Sequence, residues 1–263
     1  MLAVVTTSLR PAPDEEREAA EAAVRHRLHH APRGHRALES LLAEAGAEAA
    51  LVLSSHASIL ASATASQRWS AGMGLIRMRR TLARLAGQPV STTDRDPFLE
   101  AAGIQPGDEV LDATLGLGAD ALVAAAACGP GGRVVALEAS PLLGAWVAEG
   151  LRRLAVEPAR RIEVRAEEHL AALSAMPTRG FDVVVFDPMF RHARAEPGGF
   201  SLVRTLADPR PLGAAALAEA RRVARRWVVV KDGAPGWDLA RLGLTPLPSA
   251  RGAHRYYARV AAR

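Results

Sequence analysis

From residue 96 onward, short apolar segments alternate with longer segments of helical pattern. Five apolar segments are predicted to be strands: Glu109–Ala113, Arg133–Glu138, Arg161–Arg165, Asp182–Asp187 and Arg226–Lys231. The segments between them are predicted to be helices: Ala119–Cys128, Pro141–Leu154, a short helix after Glu168, and Leu212–Arg225. Strands with little polar alternation are typical of sheets buried on both faces. Helical crossovers between such strands favour a parallel sheet with helices on both sides.

Two further strands are expected after Lys231, and the last of them is His254–Val260. Its residues alternate between polar and apolar, which is typical of an antiparallel strand near an edge. The sequence therefore predicts an α/β fold of Rossmann-like type. Its sheet would be doubly wound, mostly parallel and seven-stranded, with an antiparallel last strand.

Residues 1–65 predict a separate, small N-terminal αβ unit. We expect a strand at Ala3–Thr7, a helix from Asp14 to about His30, a helix at His35–Ala45 and a strand at Glu48–Ser54. Residues 66–95 would form a basic helical connector, and residues 96–263 the domain that holds the large sheet.

The connector contains an amphipathic helical pattern. Its predicted apolar face consists of Leu75, Met78, Leu82 and Leu85. Its predicted basic face consists of Arg77, Arg80 and Arg84. The arginines either form a solvated face over a buried stripe or contact nucleic-acid phosphates.

Composition narrows the classes of protein further. Hydrophobic residues make up 49% of the 263 residues, and no apolar run approaches the roughly 18–20 residues that span a bilayer. The first ten residues lack the basic lead and apolar core of a signal peptide. Cys128 is the only cysteine, which excludes an intramolecular disulfide and a metal cage of cysteines alone. We therefore expect a cytoplasmic protein without a membrane segment or a bound metal.

The charge leaves the choice of partner open. The formal net charge is +5, and all but one of the 33 basic residues are arginine. A basic chain attracts nucleic-acid phosphates. Arginine richness combined with many alanines is also typical of a GC-rich genome, so charge alone does not identify the partner.

A glycine-containing loop follows the first strand of the large sheet. Gly116 and Gly118 let the backbone turn tightly and come close to a ligand. The next helix presents free N–H groups there, and ligands of open α/β sheets bind at the carboxyl ends of the strands. The spacing also fits the dinucleotide pattern G-x-G-x-x-A, so the loop alone predicts only a nucleotide-like ligand.

Two carboxylates favour S-adenosylmethionine (SAM) over NAD(P). Asp112 ends the strand before the glycines, where it can bind the methionine ammonium but would oppose a pyrophosphate. Glu138 ends the next strand and can accept both ribose hydroxyls, although a dehydrogenase would also use a residue there. Glu167 and Glu168 follow the third strand, where they either meet the adenine amine or form an acidic helix start.

The fourth strand ends in Asp187-Pro188-Met189-Phe190. This tetrapeptide resembles the Asp/Asn-Pro-Pro-aromatic signature of methyltransferases that act on amino groups of bases. An exocyclic amine conjugated to a purine is a poor nucleophile. Asp187 and the Pro188 carbonyl can accept its hydrogens and direct its lone pair, and Phe190 can stack on the base. Proximity and alignment would supply most of the acceleration.

With these segments in view, the chain resembles the RsmJ-like family, class I methyltransferases that act on the N2 amine of a guanine in small-subunit ribosomal RNA, and their uncharacterised bacterial relatives. The matching segments run from about residue 69 to 232: Asp112–Ala121, Ala136–Pro141, Arg161–Leu170, Phe181–Phe190 and Arg225–Asp232. The resemblance implies cofactor contacts at Ala119–Asp120, Glu138–Ala139, Glu167–Glu168 and Asp187. The chain departs from the family at Trp69–Met73 and after Phe190, which leaves the target nucleotide open.

The expected function is SAM-dependent methylation of a guanine N2 amine in ribosomal RNA or the small ribosomal subunit, with RNA contacts at arginines such as Arg77, Arg80 and Arg191. One alternative is a methyltransferase for a small molecule or a protein. Two others are an NAD(P)-dependent oxidoreductase and an RNA-binding protein with an inactive pocket. Lys231, at the end of the fifth strand, either meets a substrate phosphate or closes the sheet.

Overall fold

The structure is a computed structural model that describes residues 2–88, 95–188, 201–248 and 254–263. The strands are β1 (Ala3–Thr7), β2 (His29–His30), β3 (Ala49–Ser54), β4 (Ala57–Ser62), β5 (Ser66–Arg68), β6 (Glu109–Asp112), β7 (Arg133–Leu137), β8 (Ile162–Arg165), β9 (Phe181–Phe186), β10 (Ala224–Gly233) and β11 (Arg255–Ala261). The helices are α1 (Pro13–His26), α2 (Leu38–Ala45), α3 (Met73–Leu85), α4 (Pro97–Ala102), α5 (Ala119–Cys128), α6 (Pro141–Arg153), α7 (His169–Ala175), α8 (Ser201–Leu206), α9 (Ala214–Val223) and α10 (Trp237–Arg241).

Backbone contacts divide the chain into two compact units. The small unit combines Met1–Ser70 with Ser140–Ala155 and Ala195–Asp208, and the large unit holds Ala71–Ala139, Val156–Arg194 and Pro209–Arg263. These units interleave along the chain, whereas the predicted segments 1–65, 66–95 and 96–263 are consecutive. The predicted division into three consecutive segments remains a prediction.

The small unit contains a five-stranded sheet in the order β2-β1-β3-β4-β5. Strand β1 pairs in parallel with both β2 and β3, and the two remaining pairings are antiparallel. Apolar residues that pack between the sheet and α2 form its core: Val4, Leu41, Leu42, Ala50, Val52 and Ala61.

Three details of this unit differ from the sequence prediction. The first helix ends at His26, because Arg27 adopts a left-handed backbone with φ 54°, and His29–His30 therefore forms β2 instead of a last helical turn. The second helix begins at Leu38, three residues later than predicted. Strands β4 and β5 lie in a region where no strand was predicted.

Helix α6 packs within the small unit through a reciprocal pair of hydrogen bonds. The Trp146 indole N–H donates to the Ser58 carbonyl (3.1 Å), and the Ser58 hydroxyl donates to the Trp146 carbonyl (2.8 Å). Gly150 lies so close to the Trp69 ring that a Cβ there would come within 2.1 Å of it. Close packing of α6 on this sheet therefore requires the large side chain of Trp146 and the absence of a side chain at Gly150.

The large unit contains a six-stranded sheet in the order β8-β7-β6-β9-β10-β11. All neighbours are parallel except β10 and β11, which are antiparallel. This confirms the predicted Rossmann-like α/β class and the antiparallel last strand. The predicted count of seven strands is not confirmed, because the described residues contribute six. The five predicted parallel strands agree with the observed ones to within two residues at each end.

Helix α3 corrects the predicted amphipathic pattern. Leu82 and Leu85 are exposed, and the buried positions are Gly74, Met78 and Thr81. A Cβ at Gly74 would come within 2.7 Å of the Ala119 Cα. The helix therefore packs on α5 through its small residues, because backbone contact this close requires them.

Within the described residues, no helix combines the length and apolarity that a membrane span requires.

Candidate active site

The central strands β6 and β9 bring three sequence-predicted residues to one edge of the large sheet. Asp112 ends β6, and Asp187 and Pro188 directly follow β9, its parallel neighbour. The loop after β6 is tied to the strands on both sides. The Ala113 N–H donates to the Val185 carbonyl (2.9 Å), and the Leu115 N–H donates to the Leu137 carbonyl (2.8 Å).

The two glycines of this loop adopt a backbone conformation that favours glycine. Gly116 has φ 52° and Gly118 has φ 79°, both in the left-handed region that favours glycine. Gly118 is also the N-cap of α5, so Ala119 and Asp120 begin the helix. A Cβ built at Gly116 would meet only the Thr114 carbonyl oxygen, at 3.9 Å. The loop thus leaves backbone accessible beside the helix start.

Asp112 is buried, with 2% of its surface exposed. Its Oδ1 accepts a hydrogen bond from the Thr114 N–H at 3.1 Å. Burial raises the pKa of this carboxyl to about 7, and the nearby negative charges of Asp120 and Asp187 act in the same direction. The surroundings of Asp112 would therefore stabilise a bound cation.

Asp120 lies in the first turn of α5 and is fixed by two cations. Its Oδ2 accepts from the Lys231 Nζ at 3.0 Å, and its Oδ1 pairs with the Arg77 guanidinium. Burial works against the charged form, but Lys231 and Arg77 outweigh it and lower the pKa of Asp120. Arg77 also makes a forked ion pair with Asp96, at 2.7 and 2.9 Å.

Asp187 shares Lys231 with Asp120. The Lys231 Nζ bonds to the Asp187 Oδ2, and the Asp187 N–H donates to the Thr114 hydroxyl at 2.6 Å. Burial raises the pKa of Asp187, with Lys231 opposing that shift. The strand-end carboxylate is thus held from both its side chain and its backbone.

Lys231 is the residue whose role the sequence did not define. Its side chain is 10% exposed and bridges two carboxylates. Burial alone would lower its pKa, but Asp187 and Asp120 raise it, so the ammonium stays charged. Lys231 is a buried counter-ion that joins the start of α5 to the end of β9. Contact of this lysine with a substrate phosphate remains a prediction.

Glu138 and Ala139 follow β7, the other parallel neighbour of β6. The Glu138 residue is 8% exposed, and its N–H donates to the Arg165 carbonyl at 3.0 Å. Its position at the carboxyl end of the sheet agrees with the predicted one. Ribose binding by Glu138 remains a prediction.

Glu167 and Glu168 occupy different environments after β8. Glu168 is the N-cap of α7 and accepts from the Ala171 N–H at 3.0 Å. Burial opposes its ionisation, yet this N–H and that of Leu170 lower the pKa of Glu168. The helix-start interpretation therefore accounts for Glu168, whereas Glu167 is exposed. Contact with an adenine by either residue remains a prediction.

Two predicted positions are less well defined. Pro188 is half-buried directly after Asp187. Phe190 and the arginine at position 191 lie outside the described residues. Within the described part of the chain, no cluster of three or more histidine, cysteine or acidic side chains could hold a metal ion.

The residues at this edge fit SAM. A buried carboxylate whose pKa is raised to about 7 suits the ammonium of the methionine moiety. A glycine loop with open space at Gly116 allows close backbone approach, and Glu138 ends the adjacent strand. A pyrophosphate, in contrast, would meet the negative charges of Asp112 and Asp187.

Comparison with known proteins identifies the class of enzyme and its cofactor. Residues 76–241 match the family described as "Putative SAM-dependent methyltransferase". This match covers more than half of the chain, so the protein belongs to this family of SAM-dependent methyltransferases. SAM is therefore the cofactor, and family membership decides against the NAD(P)-dependent oxidoreductase that the glycine turn alone left open.

Among curated proteins, the uncharacterised protein YpiP of Bacillus subtilis is 39% identical over 145 residues, which cover 53% of this chain and 56% of that protein. Ribosomal RNA small subunit methyltransferase J of Laribacter hongkongensis is 35% identical over 172 residues, covering 60% of this chain and 56% of that protein. The chain thus spans little more than half the length of these relatives. The likeness supports the RsmJ-like family that the sequence motifs indicate.

Among solved structures, the crystal structure of a SAM-dependent methyltransferase from Neisseria gonorrhoeae resembles this chain with a TM-score of 0.62. The match covers 98% of this chain and 95% of that protein at 18% sequence identity. At this identity the likeness concerns the fold, and it agrees with the Rossmann-like class described above.

Proposed function

We propose that this protein transfers the methyl group of SAM to the exocyclic N2 amine of a guanine in small-subunit ribosomal RNA. The observation that carries the proposal is the position of Asp187-Pro188, a half-buried carboxylate and a following carbonyl at the carboxyl end of β9, beside the loop that begins at Asp112. The names of several relatives, ribosomal RNA small subunit methyltransferase J, support the RNA substrate. Such a substrate is consistent with the expected cytoplasmic location.

The chemistry that this geometry favours is orientation of a weak nucleophile. The Asp187 carboxylate would accept one N–H of the guanine amine, and the Pro188 carbonyl the other. The nitrogen lone pair would then be directed away from the ring plane. SAM, when bound, supplies an electrophilic methyl group on a sulfonium. Holding two reactants in line removes much of the entropic cost of the reaction.

Lys231 tunes what Asp187 can do. It occupies one carboxylate oxygen of Asp187, which leaves the other oxygen for the amine. Methylation of the amine releases one proton, and burial raises the pKa of Asp187, which favours its acceptance of that proton. Asp187 would therefore orient the amine first and take up the released proton afterwards.

The cofactor is expected to be held by residues around the carboxyl end of β6. Asp112 would bind the methionine ammonium, the backbone at Gly116–Asp120 would cradle the cofactor, and Glu138 with Ala139 would meet the ribose. Glu167 is the better candidate of the acidic pair for the adenine amine, because Glu168 already caps α7.

The proposed RNA contact loses one of its arginines. Arg77 was predicted to face RNA, but it is committed to Asp96 and Asp120. Arg80 lies on the exposed part of the same helix and stays a candidate for phosphate contact. Arg191 lies outside the described residues, and its role remains a prediction.

The test is to map modified nucleotides in ribosomal RNA from cells with and without the gene. We expect one N2-methylguanosine of the small subunit to disappear with the gene and to return when the gene is restored. The purified protein with SAM should also methylate small subunits from the deletion strain. Unchanged RNA in both experiments would refute the RNA substrate. A lost methyl mark on another atom would refute guanine N2 while leaving methyl transfer intact.

A further inference from the structure

Tyr257 lies next to the charged residues of the large sheet but has no role in the reaction proposed above. It is directly opposite Lys231 in the antiparallel pairing of β11 with β10. Side chains directly opposite each other in such a pair lie on the same face, with their Cβ atoms about 4.5–5.5 Å apart. The Lys231 ammonium pairs with Asp120 and Asp187. The Tyr257 side chain therefore lies beside the candidate active site.

The preceding residue of β11, Tyr256, faces the other way. Tyr256 is opposite Asp232, and successive side chains of a strand point to opposite faces of the sheet. A Cβ at Gly236 would lie 3.6 Å from the Tyr256 ring, and Tyr256 packs against the apolar cluster that contains Leu239 of α10. Tyr256 is thus part of the hydrophobic core on one face, whereas Tyr257 faces the charged residues on the other.

The Tyr257 hydroxyl is available to a ligand. The residue is half-buried, and no described residue forms a hydrogen bond with its hydroxyl. The oxygen is not sealed from solvent, so a ligand can reach it. Burial raises the pKa of Tyr257 to about 12, and the negative charges of Asp120 and Asp187 act in the same direction. The positive charges of Lys231 and Arg77 oppose this shift without cancelling it. The hydroxyl is therefore neutral at physiological pH and can donate a hydrogen bond.

The sheet order places Tyr257 on the side of Asp187 that the cofactor leaves open. Asp187 follows β9, the strand between β6 and β10. The residues expected to bind the cofactor, Asp112 and Glu138, lie at the ends of β6 and of its outer neighbour β7. A bound cofactor would therefore occupy the β6 side of Asp187. A methyl acceptor would approach from the other side, where Lys231 and Tyr257 lie on β10 and β11.

A guanine that presents its amine to this site also presents a hydrogen-bond acceptor. The carbon that carries the amine lies between N1, which bears a hydrogen, and N3, which accepts. The Asp187 carboxylate and the Pro188 carbonyl are both acceptors, so neither can satisfy N3. An acceptor that loses its water without gaining a donor is costly. Lys231 already bonds to two carboxylates, and the Thr114 hydroxyl belongs to the loop on the β6 side.

We infer that Tyr257 is a further substrate-contacting residue, whose hydroxyl donates a hydrogen bond to N3 of the target guanine. This inference rests on the proposed function. With Asp187 and Pro188, the contact would hold the base at three points of one edge, so that the base could not pivot about its amine. The direction of the nitrogen lone pair would then be defined more narrowly, and the rate of methyl transfer depends on that alignment.

The test combines Tyr257→Phe with a target base that lacks N3. Small subunits are reconstituted with RNA that carries either guanosine or 3-deazaguanosine at the nucleotide identified by the mapping experiment. Single-turnover methylation at saturating SAM is measured for the full-length wild type, Tyr257→Phe and Tyr256→Phe. The control, Tyr256→Phe, removes a hydroxyl from the other face of the same strand. Calorimetry measures the affinity of each protein for SAM.

With guanosine, we expect Tyr257→Phe to slow methylation about tenfold, as loss of one hydrogen bond does, and Tyr256→Phe to stay within about twofold of the wild type. With 3-deazaguanosine the contact is absent from both proteins. The ratio of the wild-type rate to the Tyr257→Phe rate should therefore fall from about ten to about one. This ratio is independent of any change in the reactivity of the altered base. All three proteins should bind SAM equally well.

A ratio of about one with guanosine, or a ratio that stays near ten with 3-deazaguanosine, would overturn the contact with N3 and leave the proposed function intact. A loss of SAM affinity in Tyr257→Phe alone would assign the residue to the cofactor and would also overturn the inference. If the wild type methylated no guanine N2 amine, the proposed function would fail and this inference with it.

Discussion

Each unit buries a group of charged side chains, and the two groups are balanced in opposite ways. In the small unit, Glu149 is 1% exposed and is surrounded by cations. Its partners, at 2.8–3.1 Å, are Arg25, His26, Arg152 and Arg153. Burial alone would raise the pKa of Glu149, but these hydrogen bonds and charges bring it far below its usual range.

In the large unit the acids outnumber the cations. Lys231 pairs with Asp120 and Asp187, and Arg77 pairs with Asp120, whereas Asp112 lies nearby without an ion pair to either cation. The pKa values of Asp112 and Asp187 are raised. A carboxylate neutralised by its surroundings contributes to stability, whereas one left short of positive charge is prepared for a cationic ligand or a proton. The comparison thus separates a structural ion network from a candidate active site.

The largest expected effect tests the acid-rich group. Asp187→Ala removes the carboxylate that would orient the amine, and we expect methyl transfer to slow about 10³-fold, since loss of alignment and proton acceptance each have effects of that order. The measurement is single-turnover methylation of small ribosomal subunits with radiolabelled SAM.

The matched control is Asp182→Ala, at the opposite end of the same strand. Asp182 accepts from the Glu109 N–H and pairs with Arg225, so this variant should lose stability and keep its rate per folded molecule. If Asp187→Ala methylates as fast as the wild type, the assigned role of Asp187 is wrong.

The second prediction tests the cation-rich group. Glu149→Ala leaves three arginines and a histidine without their buried partner, and we expect the free energy of unfolding to fall by about 3 kcal/mol. Urea denaturation measures this fall. Glu44→Ala, which removes an exposed partner of Arg36, should cost less than about 1 kcal/mol. Equal costs for the two variants would contradict the distinction.

The same network predicts how stability depends on acidity. The pKa of Glu149 is depressed in the folded protein, so its contribution to stability is fully present above the unfolded-state pKa of about 4.3. That contribution is lost as pH falls below that value toward the folded-state pKa. Denaturation curves between pH 6 and 3 should therefore converge for the wild type and Glu149→Ala.

The third prediction uses the opposite shift at Asp112. If Asp112 binds the SAM ammonium as a carboxylate, binding must expel the proton that a pKa of about 7 retains. At pH values below that pKa, the affinity for SAM should therefore increase about tenfold for each unit by which the pH is raised. Calorimetry from pH 6 to 7.5 measures this rise, and Asp112→Asn should bind weakly with a flat profile. A flat profile in the wild type would show that Asp112 does not titrate on binding.

The smallest expected effects come from two glycine substitutions, which distinguish a loss of stability from a loss of cofactor binding. Gly116→Ala and Gly46→Ala both place a side chain at a positive φ, 52° and 60°, without a steric clash. Each should cost about 1 kcal/mol of stability. Only Gly116→Ala should also weaken SAM binding, by several-fold, because its methyl group enters the cofactor loop. Thermal unfolding and SAM titration of both variants measure the two effects.

The sequence predicts the large sheet well because its strands are buried on both faces. Runs such as Val183–Phe186 are unbroken, and each ends in a turn or a polar residue that marks its boundary. Helix α5 was predicted to the residue, since Gly118 and Gly129 bound it. The glycine loop and its flanking carboxylates follow from the same boundaries.

Strands β4 and β5 and the buried face of α3, apart from Met78, were missed for physical reasons. β4 follows β3 through Ser55-His56, which lacks the glycine or asparagine of a typical two-residue turn. Helix α3 packs through Gly74 and Thr81, whereas the sequence pattern favours its leucines. A helix face made of small residues produces no repeating pattern of hydrophobic residues in the sequence. The contact between α3 and α5 is therefore visible only in the structure.

The counter-ion role of Lys231 could not be predicted from spacing either. The residues it joins, Asp120 and Asp187, lie 111 and 44 positions away in the chain. A single lysine at the end of a strand indicates a charge near the sheet edge, but its partners depend on the order β6-β9-β10. The sequence predicts a mostly parallel sheet, but neither this order nor which carboxylates meet the ammonium.

The interleaving of the two units has a consequence for synthesis on the ribosome. The surface of β3 and β4 is covered by α6 within the small unit, through Trp146 against Ser58 and Gly150 against Trp69. Residues 71–139, which belong to the large unit, are translated before α6 emerges. The nascent N-terminal sheet must therefore wait, with an apolar face uncovered, until half of the chain has been made. We therefore expect substitutions in α6 to increase the protein's dependence on chaperones during translation more than they lower the stability of the folded protein.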